Sequence, residues 1–181
     1  MIFDITKEKL LKEVKLDFFS EEVTKYSYLL NDNEHYRLLV YLSYLFDGIT
    51  ILDLGTCQGH SAVALSQNKN NKVITYDIDK KENIIIDNVK NIEFRLLDIN
   101  LEDDFVLEQA KIILLDIDPH DGVQEAKFYN KLRNINFKGI LICDDINLND
   151  GMIKFWSNIT EEKYDITDIG HWSGTGIVYM Y

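Results

Sequence analysis

Proline is nearly absent from this chain: Pro119 is the only one in 181 residues. A proline-rich linker is therefore excluded, and with no internal repeat or low-complexity stretch a single domain over residues 1–181 is expected, since one core commonly organises about 100–200 residues. Cysteine is almost as scarce. Cys57 and Cys143 are too few for a disulfide framework, and both are read as reduced thiols. Basic residues are outnumbered, 19 Lys and Arg against 31 Asp and Glu, giving a net charge of -12. That charge repels phosphate backbones and anionic headgroups, so neither a nucleic acid nor a membrane surface is expected as a partner. Long apolar runs are missing too: no segment reaches the roughly 18 residues of a membrane span, and "MIFDITKEKLLKEVK" at the start mixes acids and lysines. The expected location is cytoplasmic.

What is present is an ordinary globular composition, 46% hydrophobic and 28% charged. Up to residue 47 the pattern is helical. "EEVTKYSYLLND" and "NEHYRLLVYLSYLF" return apolar residues at three and four positions, which predicts an N-terminal helical layer or lid. From residue 48 to 181 short apolar runs alternate with polar helical segments. The runs are "ITILDL", "KVITYD", "IEFRLLD", "IILLD" and "GILICDD", then "KYDITDI" and "GTGIVYMY" around the turn-rich "GHWSG". The segments between them include "GHSAVALSQ", a weak "KKENIIIDNV", "EDDFVLEQ", "VQEAKFYNKLRNI" and "NDGMIKFWSNI". Alternation of this kind predicts an α/β core, a mostly parallel sheet with helices on both faces.

The first five runs all carry acid at or next to their ends: Asp53, Asp77, Asp98, Asp116, and the pair Asp144 and Asp145. In an open parallel sheet the carboxyl ends share one edge, where ligands bind. A lone aspartate after a strand is often a turn or cap residue; a succession of them along one edge calls for something cationic or hydroxyl-rich in their midst.

After the first run, "DLGTCQGHS" places Gly55 and Gly59 in a tight turn entering a helix, with Cys57 where the dinucleotide fingerprint has its middle glycine. Asp77 follows 22 residues after Gly55, close to the roughly 20-residue spacing at which an acid ending the second strand takes a ribose diol. The adenosine of NAD and that of S-adenosylmethionine both satisfy this pair. An acid-lined crevice suits a sulfonium cation and opposes a pyrophosphate, which favours S-adenosylmethionine.

From about Glu34 to the end, the sequence resembles class I S-adenosylmethionine-dependent methyltransferases. "ILDLGTCQGHSAVAL" is similar to the turn of catechol O-methyltransferase and its relatives, and "DIDPHDG" with "GILICDDI" resembles bacterial O-methyltransferases acting on sugars and natural products. The resemblance implies a Rossmann-like seven-stranded sheet with a reversed last strand. It implies cofactor contacts at Asp53, Gly55, Thr56, Cys57, Gly59 and Ser61 around the first turn, at Asp77 and Ile78 for the ribose, at Asp98 and Ile99 for the adenine, and at Asp116 and Asp118. It further implies a divalent cation held by Asp116, Asp144 and Asp145. Where catechol-type relatives carry a lysine base, this chain has Pro119 followed by His120, and its fifth-strand pair is two aspartates. A catechol acceptor is therefore not carried over, and a small-molecule or sugar hydroxyl is expected.

Carboxylate oxygens alone suit Mg²⁺, the cation expected here. Such an ion lowers the pKa of a bound hydroxyl, and an imidazole is the side chain suited to act as a base near neutrality, the role open to His120. With Asp116, His120 forms the expected catalytic pair; capping the next helix is the other reading of His120, and Asp121 is read as such a cap. His171 and Trp172 either line the acceptor pocket or belong to a packed hairpin. His35 is read as part of a solvated helix face, and His60 as structural. Competing readings of the whole chain are a haloacid-dehalogenase-type phosphatase or a nucleotide-sugar transferase using the "DID" stretch, and a non-catalytic cofactor-binding partner subunit. The apolar "GIVYMY" fits an interior strand or a homodimer surface.

Overall fold

The computed structural model of the chain describes residues 5–18 and 34–181; the helix expected over "EEVTKYSYLLND" lies outside them. Helix α1 (Lys7–Glu13) starts at Thr6, whose hydroxyl accepts the Lys9 N–H. Helix α2 (His35–Ser43) covers the second expected helical segment. The strands are β1 (Thr50–Leu54), β2 (Lys72–Asp77), β3 (Ile92–Leu96), β4 (Ala110–Leu115), β5 (Gly139–Asp144), β6 (Glu162–Asp165) and β7 (Thr175–Met180). Between them run α3 (His60–Leu65), α4 (Asp104–Gln109), α5 (Val123–Asn134) and α6 (Asp150–Asn158).

The strands form one sheet in the order β3-β2-β1-β4-β5-β7-β6. Strands β1 to β5 are mutually parallel, and β7 runs antiparallel to both β5 and β6. The chain winds from β1 outward to β3, then returns to β4 on the other side of β1. That reversal opens a crevice at the carboxyl ends of β1 and β4.

Side chains alternate across each strand, and both faces of the sheet are covered, which is why the runs read as continuously apolar. Ile51 pairs with Val73 and Ile112, and all three are buried with Leu38, Leu39 and Leu42 of α2 and Ala62 and Leu65 of α3. One residue on, Leu52 pairs with Ile74 and Ile113 and is buried on the opposite face with Phe128, Leu132, Met152 and Phe155 of α5 and α6. The described N-terminal helices thus form part of a covering layer. Short β6, "EKYD", is largely exposed and charged, as suits a strand at the sheet's edge.

One expected helix is not formed. "KKENIIIDNV" is a series of turns, because three consecutive β-branched residues neither favour a helix nor share one of its faces. Instead the segment folds over the entrance of α3: the Ile85 N–H donates to the Gln58 carbonyl at 3.0 Å and Ile86 is buried. Among the described residues no helix is long and apolar enough to cross a membrane.

Candidate active site at the carboxyl edge of the sheet

The turn after β1 is built against the exit of β4. Gly55 has φ of 97°, and a Cβ there would lie 1.7 Å from the Asp116 carbonyl oxygen, so only glycine fits. The Gly55 and Thr56 N–H groups donate to the Tyr76 carbonyl at 2.9 and 3.0 Å. Cys57, with φ of 47°, then points its N–H at Asp77 Oδ2 at 2.9 Å, while the Asp79 N–H donates to Asp77 Oδ1 at 3.1 Å. These bonds fix the Asp77 carboxylate, and each of its oxygens keeps further acceptor capacity.

Asp77 lies on a cleft of about 680 Å³, within the usual range of about 300–1,000 Å³ for small-molecule sites. Gly55, Cys57, Ile78, Asp98, Ile99, Asp116 and Asp118 also line it, together with Asp79 and His120. Ile78, Leu97 and Ile99 give it apolar walls. Asp98 accepts the Asn100 N–H at 2.9 Å, capping the short 3₁₀ turn Ile99–Leu101. Lys81 is the single lysine or arginine among the described lining residues, and its ammonium is bound to Asp79 at 2.9 Å.

Four further residues expected at the cofactor are not among those that line the cleft. Asp53, Thr56, Gly59 and Ser61 are buried. The Thr75 hydroxyl donates to Asp53 Oδ2 at 2.6 Å and lies 2.6 Å from the Thr56 hydroxyl, so Asp53 and Thr56 brace the turn from within. Burial pushes the Asp53 carboxyl up to about 6 despite the Thr75 hydrogen bond.

Beyond the cleft, acids and imidazoles interleave. The ligand atoms of Asp116, His120 and Asp145 lie within 4.8 Å of one another, as do those of Asp144, Asp145 and His171. Asp145 belongs to both groups: its Oδ2 is 3.3 Å from His120 Nδ1 and its Oδ1 is 3.4 Å from His171 Nδ1. Although 30% of the Asp116 side chain is exposed to the cleft, desolvation is the largest influence on it, and with the charges of Asp144 and Asp145 it holds the carboxyl well above its ordinary value. Asp145 behaves oppositely. Burial opposes its charge, but hydrogen bonds from His171 and Ser173 and the nearby His120 hold its pKa below the ordinary value. Burial likewise opposes charge on His171, and the Asp145 hydrogen bond together with both carboxylates overcomes it and raises its pKa.

Crowded carboxylates with one held unusually high fit a cation. The donor set adds to the expectation from sequence: the three acids Asp116, Asp144 and Asp145 are divided between two clusters that share Asp145, and each cluster also carries an imidazole. The reason is topological, since the turn after β4 brings in His120 and the β6–β7 connection brings in His171.

Other histidine readings change as well. His35 is buried, with Nδ1 3.9 Å from Asp144 Oδ1 and its ring 5.3 Å from that of His171, so it is not on a solvated face. His120 does not cap α5; Asp121 does, accepting the Val123 N–H at 2.8 Å. The His120 ring lies between Asp118, 3.3 Å away, and Asp145. Trp172 is 61% exposed beside the His171 ring, and therefore is not a packed core residue. Sequence reasoning missed Ser173 and Thr175, whose hydroxyls donate to Asp145 and Asp144; their place in "GHWSGTG", next to His171, was the available signal.

Strand order, the reversed β7 and the ligand-side crevice together define the Rossmann-like methyltransferase fold. Neither a protein-family model nor a curated protein sequence matches the chain. Solved structures do. A candidate caffeoyl-CoA O-methyltransferase from Staphylococcus aureus aligns over 97% of this chain and 99% of its own, with TM-score 0.63 and 16% identity. An S-adenosylhomocysteine-bound methyltransferase from Podospora anserina aligns over 96% and 85%, with TM-score 0.56 and 14% identity. A Bacillus cereus O-methyltransferase in complex with S-adenosylhomocysteine aligns over 98% and 92%, with TM-score 0.54 and 17% identity.

Proposed function

We propose that the chain is an S-adenosylmethionine-dependent methyltransferase that methylates a hydroxyl of a small molecule or sugar with the help of a divalent cation. The observation that carries this reading is the Cys57–Asp77 hydrogen bond at the mouth of an acid-lined cleft. It presents a carboxylate to a ribose diol in surroundings that suit a sulfonium and oppose a phosphate. Ile78 and Ile99 supply apolar walls for adenine, and Asp98 an acceptor.

Methyl transfer to oxygen is an in-line displacement, so the chain's task is to align donor and acceptor and to accept a proton. Asp116 and His120 line the cleft and join it to Asp144 and Asp145. A divalent cation held by Asp116, Asp144 and Asp145 would supply the charge that makes a bound hydroxyl more acidic. His120, between Asp118 and Asp145, is the group we assign to the acceptor's proton. The structural relatives described as O-methyltransferases support this choice of atom.

The first test is calorimetry with S-adenosylhomocysteine. Micromolar binding by the full chain is expected, and no heat at millimolar ligand would sink the reading. Asp116→Asn then separates an enzyme from a non-catalytic binding partner: the variant should bind S-adenosylhomocysteine within about threefold of the unaltered chain while methyl transfer falls by about 100-fold or more.

A further inference from the structure

Much of the "GHWSGTG" stretch is directed at the acid pair after β5. His171 Nδ1 stands 3.7 Å from Asp144 Oδ2 and 3.4 Å from Asp145 Oδ1. Two residues on, the Ser173 hydroxyl donates to Asp145 Oδ1 and lies 2.5 Å from His171 Nδ1. Two further on, the Thr175 hydroxyl accepts the His171 N–H at 2.7 Å and donates to Asp144 Oδ1 at 3.3 Å. Each carboxylate is thus oriented by a hydroxyl from the connection that carries the imidazole.

The connection is also pinned in place. The Asn147 N–H donates to the Ser173 carbonyl at 2.8 Å, and the Glu34 N–H to the Ile169 carbonyl at 2.9 Å. Gly174, with φ of 108°, would bring a Cβ within 2.8 Å of the Asn147 backbone nitrogen, so only glycine lets the connection lie this close to the turn after β5. A ligand atom backed by oriented hydroxyls on a fixed backbone is how metal-binding side chains are held.

We infer that His171, together with Asp144 and Asp145, ligates the divalent cation, so that the site is a mixed nitrogen–oxygen one taking Mn²⁺, Co²⁺ or Zn²⁺ in preference to Mg²⁺. The inference rests on the proposed cation but not on methyl transfer. Magnesium demands near-ideal octahedral oxygen coordination and gives up its waters reluctantly, whereas imidazole suits the later divalent ions. Ser173 and Thr175 act as positioning residues. Asp145, reaching also to His120 and Asp116, places a cation here one carboxylate away from the cleft.

The test uses the full chain with Mn²⁺ and Co²⁺ alone. Manganese titrated by electron paramagnetic resonance should bind at one ion per chain, about tenfold or more tighter than Mg²⁺ in competition. Pulsed measurements should show coupling to an imidazole nitrogen. His171→Ala should abolish that coupling and weaken Mn²⁺ binding by at least about tenfold, Ser173→Ala should weaken it by about 10- to 100-fold with the coupling retained, and His120→Ala should retain the coupling. S-adenosylhomocysteine affinity, measured on the same samples, reports folding and tests the cofactor reading separately. The inference is overturned by no Mn²⁺ binding at millimolar ion, by binding without nitrogen coupling, by coupling that survives His171→Ala or disappears in His120→Ala, or by equal affinity for Mg²⁺.

Discussion

Asp77 shows how much a single carboxylate carries at this edge. Its two oxygens are already held by the Cys57 and Asp79 N–H groups, so its orientation would cost nothing further on binding the proposed ribose diol. Each charge-assisted hydrogen bond to a ligand is worth about 1.5–3 kcal/mol. Asp77→Ala is therefore expected to weaken S-adenosylhomocysteine by about 10- to 100-fold by calorimetry while leaving the thermal midpoint of the ligand-free protein within a few degrees; unchanged affinity would remove Asp77 from the site. Aspartates like this one were legible in the sequence because each closes an apolar run. His35 was not. Its burial depends on α2 lying against the β6–β7 connection, a contact that helical periodicity does not encode.

At the scale of elements, periodicity located β1 to β5 and β7 to within about two residues, since burial on both faces leaves runs that could be little else, whereas exposed β6 ends four residues before its expected run does. It failed at "KKENIIIDNV", where apolar content suggested a helix but the isoleucines are used to roof the start of α3. It was also silent on the donor set: His171 lies 26 residues after Asp145, and only the antiparallel return of β7 brings them together. Helix α2 matters to the site because its buried side anchors His35. Leu39 is fully buried among strand residues such as Ile51 and Ile112. Leu39→Ala should cost about 2–5 kcal/mol of stability in urea unfolding; a loss under about 1 kcal/mol would mean that this layer is not packed as described.

For the whole molecule, the burial of a carboxyl under the sheet's ligand edge gives stability a pH dependence with a definite sign. Asp53 is fully buried, and its carboxyl is pushed up to about 6 from 3.8. Between those values the folded chain retains a proton that the unfolded chain releases, so this contribution is complete below about pH 4 and is lost as pH rises through about 6. Its size is on the order of 3 kcal/mol. Unfolding free energies of the unaltered chain and of Asp53→Asn, compared from pH 4.5 to 7, should converge or cross as pH rises, the variant gaining relative stability. A constant difference across that range would show that Asp53 ionises freely in the fold.

The contact between Gly55 and the Asp116 carbonyl has a mechanical corollary. The loop proposed to receive the donor and the peptide that carries Asp116 touch backbone to backbone, with no compressible side chain to absorb displacement. Under the proposed function, a displacement of one would press on the other, so loading the donor and readying the acceptor would be coupled rather than independent.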